Sequence, residues 1–300
     1  MKAFLSAAAV AACVAFQAPG VGRDGLVVSA AWLAQHVNDP DLVLLHIGAK
    51  ATYEAGHIPH ARYVSWRDTL TTGDGTGSTL TLEMLPADVL HDRLAALGIS
   101  DRSHVVVYQS DDQWTPSTRV MLTLDYAGLA NVSWLDGGQK AWTKAGQALT
   151  PAPAPDKAGT LSPLTLRPVV VDADFVKAHA GTPAFAIVDA RLPAFYDGTR
   201  TGGGRGSEHK TGHIAGAFNA PFDSFTSADV ELKSADEIRA AFTKAGVKPG
   251  DTVITYCHIG QQATATLFAA RTLGYKVLFY DGSFEDWSRR DLPVDNSTKK

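Results

Sequence analysis

The chain has little cysteine and no marked excess of either charge. Only two cysteines, Cys13 and Cys257, occur among its 300 residues, so the paired cysteines of structural zinc sites are absent from the sequence. We therefore predict no metal site and no bound cofactor. The formal net charge is -4, from 27 basic and 31 acidic residues, and no basic block stands out. This distribution argues against a nucleic-acid partner.

Long apolar runs are also scarce. The one present, residues 3–16, follows Lys2 at the N-terminus and is too short to cross a bilayer. We predict that residues 1–22 are a signal peptide and that the protein is periplasmic or secreted, without a membrane span. The alternative interpretation of this segment is a lipoprotein signal, which would place a lipid on Cys13. Once such a leader is removed, Cys257 is the remaining thiol and no internal disulfide can form.

The rest of the chain is rich enough in apolar residues to fold. It is 45% hydrophobic and 19% charged, which excludes a disordered or fibrous protein. A length of 300 residues suits two domains of about 150 residues each. The composition thus predicts a folded protein with a sizeable core.

Two copies of one unit follow each other in the sequence. Gly56-His57-Ile58 recurs as Gly212-His213-Ile214, the stretch 97–108 matches 245–256, and 134–142 matches 279–287. Repetition in the same order predicts tandem domains. Prolines that alternate with alanines near residues 151–155 predict an extended linker. We place a first domain at 23–149, the linker at 150–165, a second domain at 166–295 and a tail at 296–300.

Short apolar runs alternate with helical spacing in both copies. This alternation predicts βαβ units, hence an α/β fold in which each domain has a parallel sheet flanked by helices. The predicted strands are 42–47, 105–108, 132–135, 186–188, 253–256 and 277–280, and the predicted helices are 87–97, 236–245 and 262–273. Ligands bind at the carboxyl ends of strands in such sheets, and Cys257 directly follows one of them.

The loop after this strand has the character of an anion site. It begins at Cys257 and leads into a helix, so its backbone N–H groups and the helix dipole favour a thiolate or an anionic ligand at its centre. Cys257 is the candidate catalytic nucleophile. The candidate substrate-binding residues are those that follow it, and His258 adds positive charge when protonated: His258, Ile259, Gly260, Gln261 and Gln262.

Together these motifs resemble the rhodanese (sulfurtransferase) family over roughly residues 25–292. The resemblance rests on the duplicated Gly-His-Ile motif, an Asp-Gly-Gly or Asp-Gly-Ser turn followed by tryptophan, and one cysteine loop in the second copy. It implies that Cys257 takes sulfur from thiosulfate or 3-mercaptopyruvate as a persulfide and passes it to cyanide or a thiol. The first copy has Gln109 at the equivalent position, so the first domain is expected to be inactive and to form a wall of the cleft between the domains.

The resemblance leaves the donor open. Family members that prefer thiosulfate typically continue with Arg-Lys-Gly after the cysteine, and those that prefer 3-mercaptopyruvate with Gly and then Ser or Ala. This chain has His258-Ile259-Gly260. We favour thiosulfate and expect replacement cations from the glycine-rich segment 197–212, with Arg205 as the first candidate and Arg200 as the second. Arg67 of the first domain is a further candidate.

Three residues near the loop are expected to be structural. Asp189 and Arg191 are expected to form an ion pair beneath it, and His213 belongs to a turn that the inactive copy repeats with His57. The partners implied are a small anionic sulfur donor and a cyanide or thiol acceptor, and we expect a monomer.

Two other functions remain open. The first is a sulfur carrier or redox-sensing protein, in which Cys257 accepts sulfur or oxidant without turnover. The second is a cysteine phosphatase, a related branch of the fold in which an arginine ends a longer loop to grip phosphate. Ala263 stands at that arginine position, which argues against the phosphatase.

Overall fold

The computed structural model describes residues 23–204 and 207–297. The predicted signal peptide with Cys13, the candidate Arg205 and the end of the predicted tail lie outside the described residues. Within the described residues, no helix combines the length and the apolar character needed to cross a membrane.

The first domain contains seven helices and seven strands among its described residues. The helices are α1 (Arg23–Leu26), α2 (Ala30–His36), α3 (Lys50–Ala55), α4 (Trp66–Leu70), α5 (Ala87–Ala96), α6 (Thr115–Tyr126) and α7 (Gly138–Lys144). The strands are β1 (Val27–Val28), β2 (Leu42–Ile47), β3 (Arg62–Tyr63), β4 (Thr72–Asp74), β5 (Thr81–Glu83), β6 (His104–Gln109) and β7 (Val132–Leu135).

The second domain repeats this pattern with additional short strands. Its helices are α8 (Ala173–His179), α9 (Pro193–Tyr196), α10 (Ala235–Ala245), α11 (Ala263–Thr272) and α12 (Ser283–Arg289), with a 3₁₀ turn at Phe222–Ser224. Its strands are β8 (Val170–Val171), β9 (Phe185–Asp189), β10 (Gly203–Gly204), β11 (Ser207–Glu208), β12 (His213–Ile214), β13 (Phe218–Asn219), β14 (Thr252–Tyr256), β15 (Lys276–Tyr280) and β16 (Val294–Asp295).

Each domain is built on a five-stranded parallel sheet with the same strand order. The first sheet runs β1-β7-β6-β2-β3 and the second β8-β15-β14-β9-β13. His46 lies opposite Tyr108 in the first sheet, and Asp189 lies opposite Tyr256 in the second. The central strands are buried on both faces, which is why they read as continuous apolar runs in the sequence. The predicted α/β fold with two tandem domains is confirmed.

The two domains share a continuous apolar core where α6 packs against α11. Small side chains on α11, among them Ala265 and Ala269, are fully buried and let the two helices approach closely. The hydroxyls of Thr118 and Thr264 hydrogen bond across this contact at 2.8 Å. Phe268 inserts its ring 5.8 Å from that of Trp134, a burial that stabilises by roughly 1.5–3 kcal/mol. The carboxyl ends of both sheets are thereby brought to one cleft.

A hairpin of the first domain, formed by β4 and β5, reaches across to α12 of the second. Arg289 on α12 donates hydrogen bonds to the hairpin carbonyls of Gly75, Gly77 and Thr79. The Glu285 carboxylate accepts a hydrogen bond from the Thr81 N–H at 2.9 Å. These contacts fix the second domain's helix against the first domain.

Glu83 at the end of this hairpin makes the stability of the protein sensitive to pH. Burial, and next the neighbouring charge of Asp281, raise the pKa of Glu83 from 4.5 to about 8. The folded state therefore binds more protons than the unfolded state between these values, and the free energy of unfolding falls as pH rises through that window. We expect Glu83→Gln to lose less stability than the wild type between pH 5 and pH 8. Urea unfolding of both proteins across this range measures the difference, and parallel pH dependences would exclude the effect.

Candidate active site

Cys257 lies at the carboxyl end of β14, where α12 holds its backbone in place. Its N–H donates to the Ser283 hydroxyl at 3.2 Å, and its carbonyl accepts the Phe284 N–H at 3.0 Å. The side chain is almost completely buried, at 1% exposure, and is not part of a disulfide. The Asp-Gly-Ser turn at 281–283, predicted near the end of the second copy, therefore leads into the residues that position the backbone of Cys257.

The loop from 258 to 262 keeps its backbone donors available. In the part of the chain that the structure describes, none of its N–H groups donates to a protein acceptor. Gly260 permits this shape: its φ of +79° is left-handed, and a Cβ there would lie 2.9 Å from the Asp281 carbonyl oxygen. Free N–H groups before the first turn of α11 make a ready site for an anion.

A pocket of about 380 Å³ opens in front of Cys257, between the two domains. Cys257 itself lines it, together with four of the predicted substrate-binding residues, namely His258, Ile259, Gln261 and Gln262. The remaining lining residues come from both domains: Asp112, Gln113, Trp114, Thr115, Gly203 and Phe222. The structure thus places a loop of the first domain at one side of the pocket.

Arg119 of the first domain clamps the cysteine loop from behind. Its guanidinium, fully buried, donates to the Gly260 carbonyl at 2.9 Å, to the Asp281 carboxylate at 2.7 Å and to the Leu82 carbonyl. Asp281 also accepts the Met84 N–H at 2.8 Å. The Gly260 carbonyl is held on Arg119, and Gly260 is not among the residues that line the pocket. The sequence gives no sign of this role for Arg119, because its partners lie far along the chain.

Asp189 and Arg191 form a buried ion pair beneath the loop. The Asp189 carboxylate accepts hydrogen bonds from the Arg191 backbone N–H and guanidinium, and Arg191 also donates to the Gly212 carbonyl at 2.8 Å. The Tyr256 hydroxyl donates to Asp189 at 2.8 Å. Burial and the Asp189 charge raise the pKa of Tyr256 well above its ordinary value, so Tyr256 remains a neutral donor.

His213 and His57 occupy matching structural positions. The Nδ1 atom of His213 lies 2.8 Å from the Tyr196 carbonyl oxygen, and that of His57 lies 2.7 Å from the Tyr53 carbonyl oxygen. Each imidazole also stacks on the ring of the same tyrosine. Because the copy that lacks a cysteine has the same arrangement, His213 is best explained by the fold of the turn.

His258 turns its ring toward the glycine-rich segment. The ring lies 4.6 Å from that of Phe195 and 5.6 Å from that of His209, measured between centroids. Burial, and next the charge of Arg191, lower the pKa of His258 to about 3, and the same two causes lower that of His209 to about 4. Both imidazoles are therefore neutral at pH 7, and His258 supplies no positive charge to the pocket.

The predicted cations of segment 197–212 do not face the pocket in the described residues. Arg200 is exposed and lies over the Phe195 ring at 5.0 Å, and it is not a lining residue. Lys210 reaches away to Asp291 and the Leu292 carbonyl. Arg205 lies outside the described residues.

The equivalent position of the first domain carries no nucleophilic thiol. Gln109 is the last residue of β6 and follows Tyr108 as Cys257 follows Tyr256. Its side-chain oxygen accepts the Trp134 indole N–H at 2.9 Å. His46 occupies the place of Asp189 and lies 2.9 Å from the Tyr108 hydroxyl. Among the described residues, no group of three His, Cys, Asp or Glu side chains is placed to hold a metal ion.

Comparison with known proteins agrees with this duplicated architecture. The rhodanese-like domain family matches the chain twice, at residues 29–145 and 172–290. The chain belongs to the rhodanese family. Its duplicated sequence motifs therefore correspond to two rhodanese-like domains.

Rhodanese-family relatives match nearly the whole chain. A thiosulfate sulfurtransferase from Pseudomonas aeruginosa is 30% identical over 277 residues, with 90% of this chain and 97% of the relative covered. A thiosulfate sulfurtransferase from Rattus norvegicus is 30% identical over 283 residues, with coverages of 89% and 93%. The crystal structure of YnjE superposes with a TM-score of 0.79 at 25% identity, covering 91% of this chain and 68% of that one. The predictions of the rhodanese family and of a sulfurtransferase enzyme are confirmed.

Proposed function

We propose that this chain transfers the outer sulfur of thiosulfate to cyanide or a thiol through a persulfide on Cys257. The observation that carries the proposal is the loop at 258–262, which follows a cysteine at the end of a parallel strand and whose N–H groups have no protein acceptor among the described residues. Relatives named thiosulfate sulfurtransferase support the choice of donor. Residue Gln109 leaves the first domain without a thiol for this chemistry.

The reaction balances without an external oxidant. The Cys257 thiolate attacks the outer sulfur of thiosulfate, a new S–S bond forms, and the original S–S bond breaks as sulfite leaves. Cyanide then attacks the outer sulfur of the persulfide. The bond to Sγ breaks, thiocyanate leaves, and the Cys257 thiolate is restored.

The protein stabilises the anions of both steps. The N–H groups of 258–262, which no protein acceptor occupies among the described residues, donate to the thiolate and to the outer sulfur. Arg119 donates a hydrogen bond to the Gly260 carbonyl. This oxygen, which would repel an anion, is therefore kept away from the negative charge on the sulfur of Cys257. Gln261 and Gln262 line the pocket. Their uncharged side-chain NH₂ groups donate hydrogen bonds to the oxygen atoms of thiosulfate.

Initial rates of thiocyanate formation test the donor. We expect a higher kcat/KM with thiosulfate than with 3-mercaptopyruvate. The described lining of the pocket offers backbone and amide donors and lacks an arginine to pair with a carboxylate. A clear preference for 3-mercaptopyruvate would contradict the thiosulfate assignment.

A sulfur-carrier function is the second candidate. A sulfur carrier protein, TtuD, from Thermus thermophilus is 27% identical over 281 residues, with 89% of this chain and 95% of the relative covered. A carrier releases one equivalent of sulfur per Cys257, whereas an enzyme forms many equivalents of thiocyanate from excess thiosulfate and cyanide. Thiocyanate counted per mole of protein separates the two.

We further propose that residues 1–22 direct export and are removed, and that the mature protein acts as a monomer in the periplasm or outside the cell. The short apolar run behind Lys2 supports this. N-terminal sequencing of the protein from the envelope fraction tests it. A protein recovered with Met1 intact would contradict the export signal.

A further inference from the structure

A second, smaller cavity adjoins the cysteine pocket on the first-domain side. It has a volume of about 210 Å³ and shares Gln113 and Gln261 with the larger pocket. Gln261 bridges the domains there: its side-chain NH₂ donates to the Thr115 hydroxyl at 3.0 Å, and its side-chain oxygen accepts from Arg67 at 2.6 Å. A molecule that fills both cavities is larger than thiosulfate or cyanide.

Arg67 presents the available positive charge at this end of the cleft. Its exposed guanidinium lies over the Trp66 ring at 4.7 Å, and in residues 23–204 and 207–297 no carboxylate forms an ion pair with it. Arg119 and Arg191, the two arginines behind the cysteine loop, are fully buried and paired with Asp281 and Asp189. An anionic group that enters the cleft therefore meets Arg67.

Asp111 lines the same small cavity and supplies the opposite charge. Its carboxylate accepts the Gln113 N–H at 2.9 Å, and its side chain is exposed. Arg67 and Asp111 both line this cavity but do not pair with each other among the described ion pairs. A cation and an anion that face one small cavity match a ligand that carries both charges.

We propose that this cavity binds the α-amino-acid group of the acceptor thiol. Arg67 takes the carboxylate, Asp111 takes the ammonium group, and the thiol extends past Gln113 and Gln261 toward Cys257. The inference rests on the proposed sulfur transfer and names the class of its acceptor. Free cysteine and the γ-glutamyl end of glutathione both carry this group.

The transfer to such a thiol balances as it does for cyanide. The acceptor thiol loses its proton to water and attacks the outer sulfur of the persulfide as a thiolate. A bond forms between the acceptor sulfur and the outer sulfur, the bond to Cys257 Sγ breaks, and Sγ leaves as the thiolate. The product is the persulfide of the acceptor.

Matched thiols test each charge separately. Cys257 is first loaded with thiosulfate and its added sulfur is confirmed by mass. The KM for transfer is then measured with cysteine, with cysteamine, which lacks the carboxylate, and with 3-mercaptopropionate, which lacks the ammonium group. We expect Arg67→Met to raise the KM for cysteine roughly tenfold and to leave that for cysteamine unchanged.

The remaining variants complete the test. Asp111→Asn is expected to raise the KM for cysteine and to leave the KM for 3-mercaptopropionate unchanged. The control Arg93→Met removes an exposed arginine elsewhere in the first domain and is expected to change the KM of none of these thiols. A glutathione series run in parallel shows which of the two thiols the cavity favours, as the one with the lower KM. Equal effects of Arg67→Met on cysteine and cysteamine would overturn the inference. Failure of Cys257 to load would instead contradict the proposed function.

Discussion

Replacement of Cys257 by serine is expected to abolish turnover while leaving the fold intact. A hydroxyl cannot form a persulfide, and removal of a nucleophile of this kind lowers kcat on the order of 10⁴-fold or more. The side chain is nearly isosteric, so the apolar contacts of the buried site are largely kept. The rate of thiocyanate formation from thiosulfate and cyanide measures the loss.

The second cysteine provides the matched control for this experiment. In the full-length chain, before residues 1–22 are removed, Cys13→Ser removes the other thiol and is expected to retain full activity. Thermal unfolding of Cys257→Ser should give a midpoint within a few degrees of the wild type, which separates loss of chemistry from loss of structure. Near-normal rates in Cys257→Ser would contradict the assignment of the nucleophile.

Arg119→Met is expected to cause the largest loss of stability. The substitution leaves the Asp281 carboxylate buried without its cation and removes the donor of the Gly260 and Leu82 carbonyls. Breaking a buried ion pair from one side costs about 3–5 kcal/mol in the free energy of unfolding. Because Gly260 belongs to the cysteine loop, kcat is expected to fall as well. Urea unfolding and steady-state kinetics on the same preparation measure both effects.

Two further variants show whether the loss comes from the unpaired charge. Arg119→Met combined with Asp281→Leu removes both charges and is expected to recover part of the lost stability. Arg102→Met breaks the exposed pair between Arg102 and Asp41, 3.7 Å apart, and is expected to cost less than about 1 kcal/mol. A loss below about 1 kcal/mol for Arg119→Met would mean that the clamp contributes little.

The sequence predicted the sheet well because its central strands are mostly apolar. The strand predicted at 42–47 is observed as Leu42–Ile47, and that predicted at 253–256 extends by one residue to Thr252–Tyr256. The helix predicted at 236–245 begins one residue earlier, after Ser234, whose capping box with Glu237 fixes the start. The position of Cys257 at a strand end followed directly from these patterns.

The contacts between the domains could not be predicted in the same way. Arg119 and Gly260 are 141 residues apart, and neither the spacing nor the composition of α6 indicates that its arginine reaches the cysteine loop. The neutral state of His258 depends on the packing of Phe195 and His209 around it, which only the folded chain brings together. Whether His258 carries a charge therefore cannot be read from its place in the sequence.

The mass of the peptide that contains Cys257, measured after incubation with thiosulfate and again after cyanide, tests the central claim most directly. We predict a gain of one sulfur atom on this peptide, followed by its loss with the release of one equivalent of thiocyanate. Thiocyanate formation without added sulfur on Cys257, or with the sulfur carried by another residue, would contradict the persulfide mechanism.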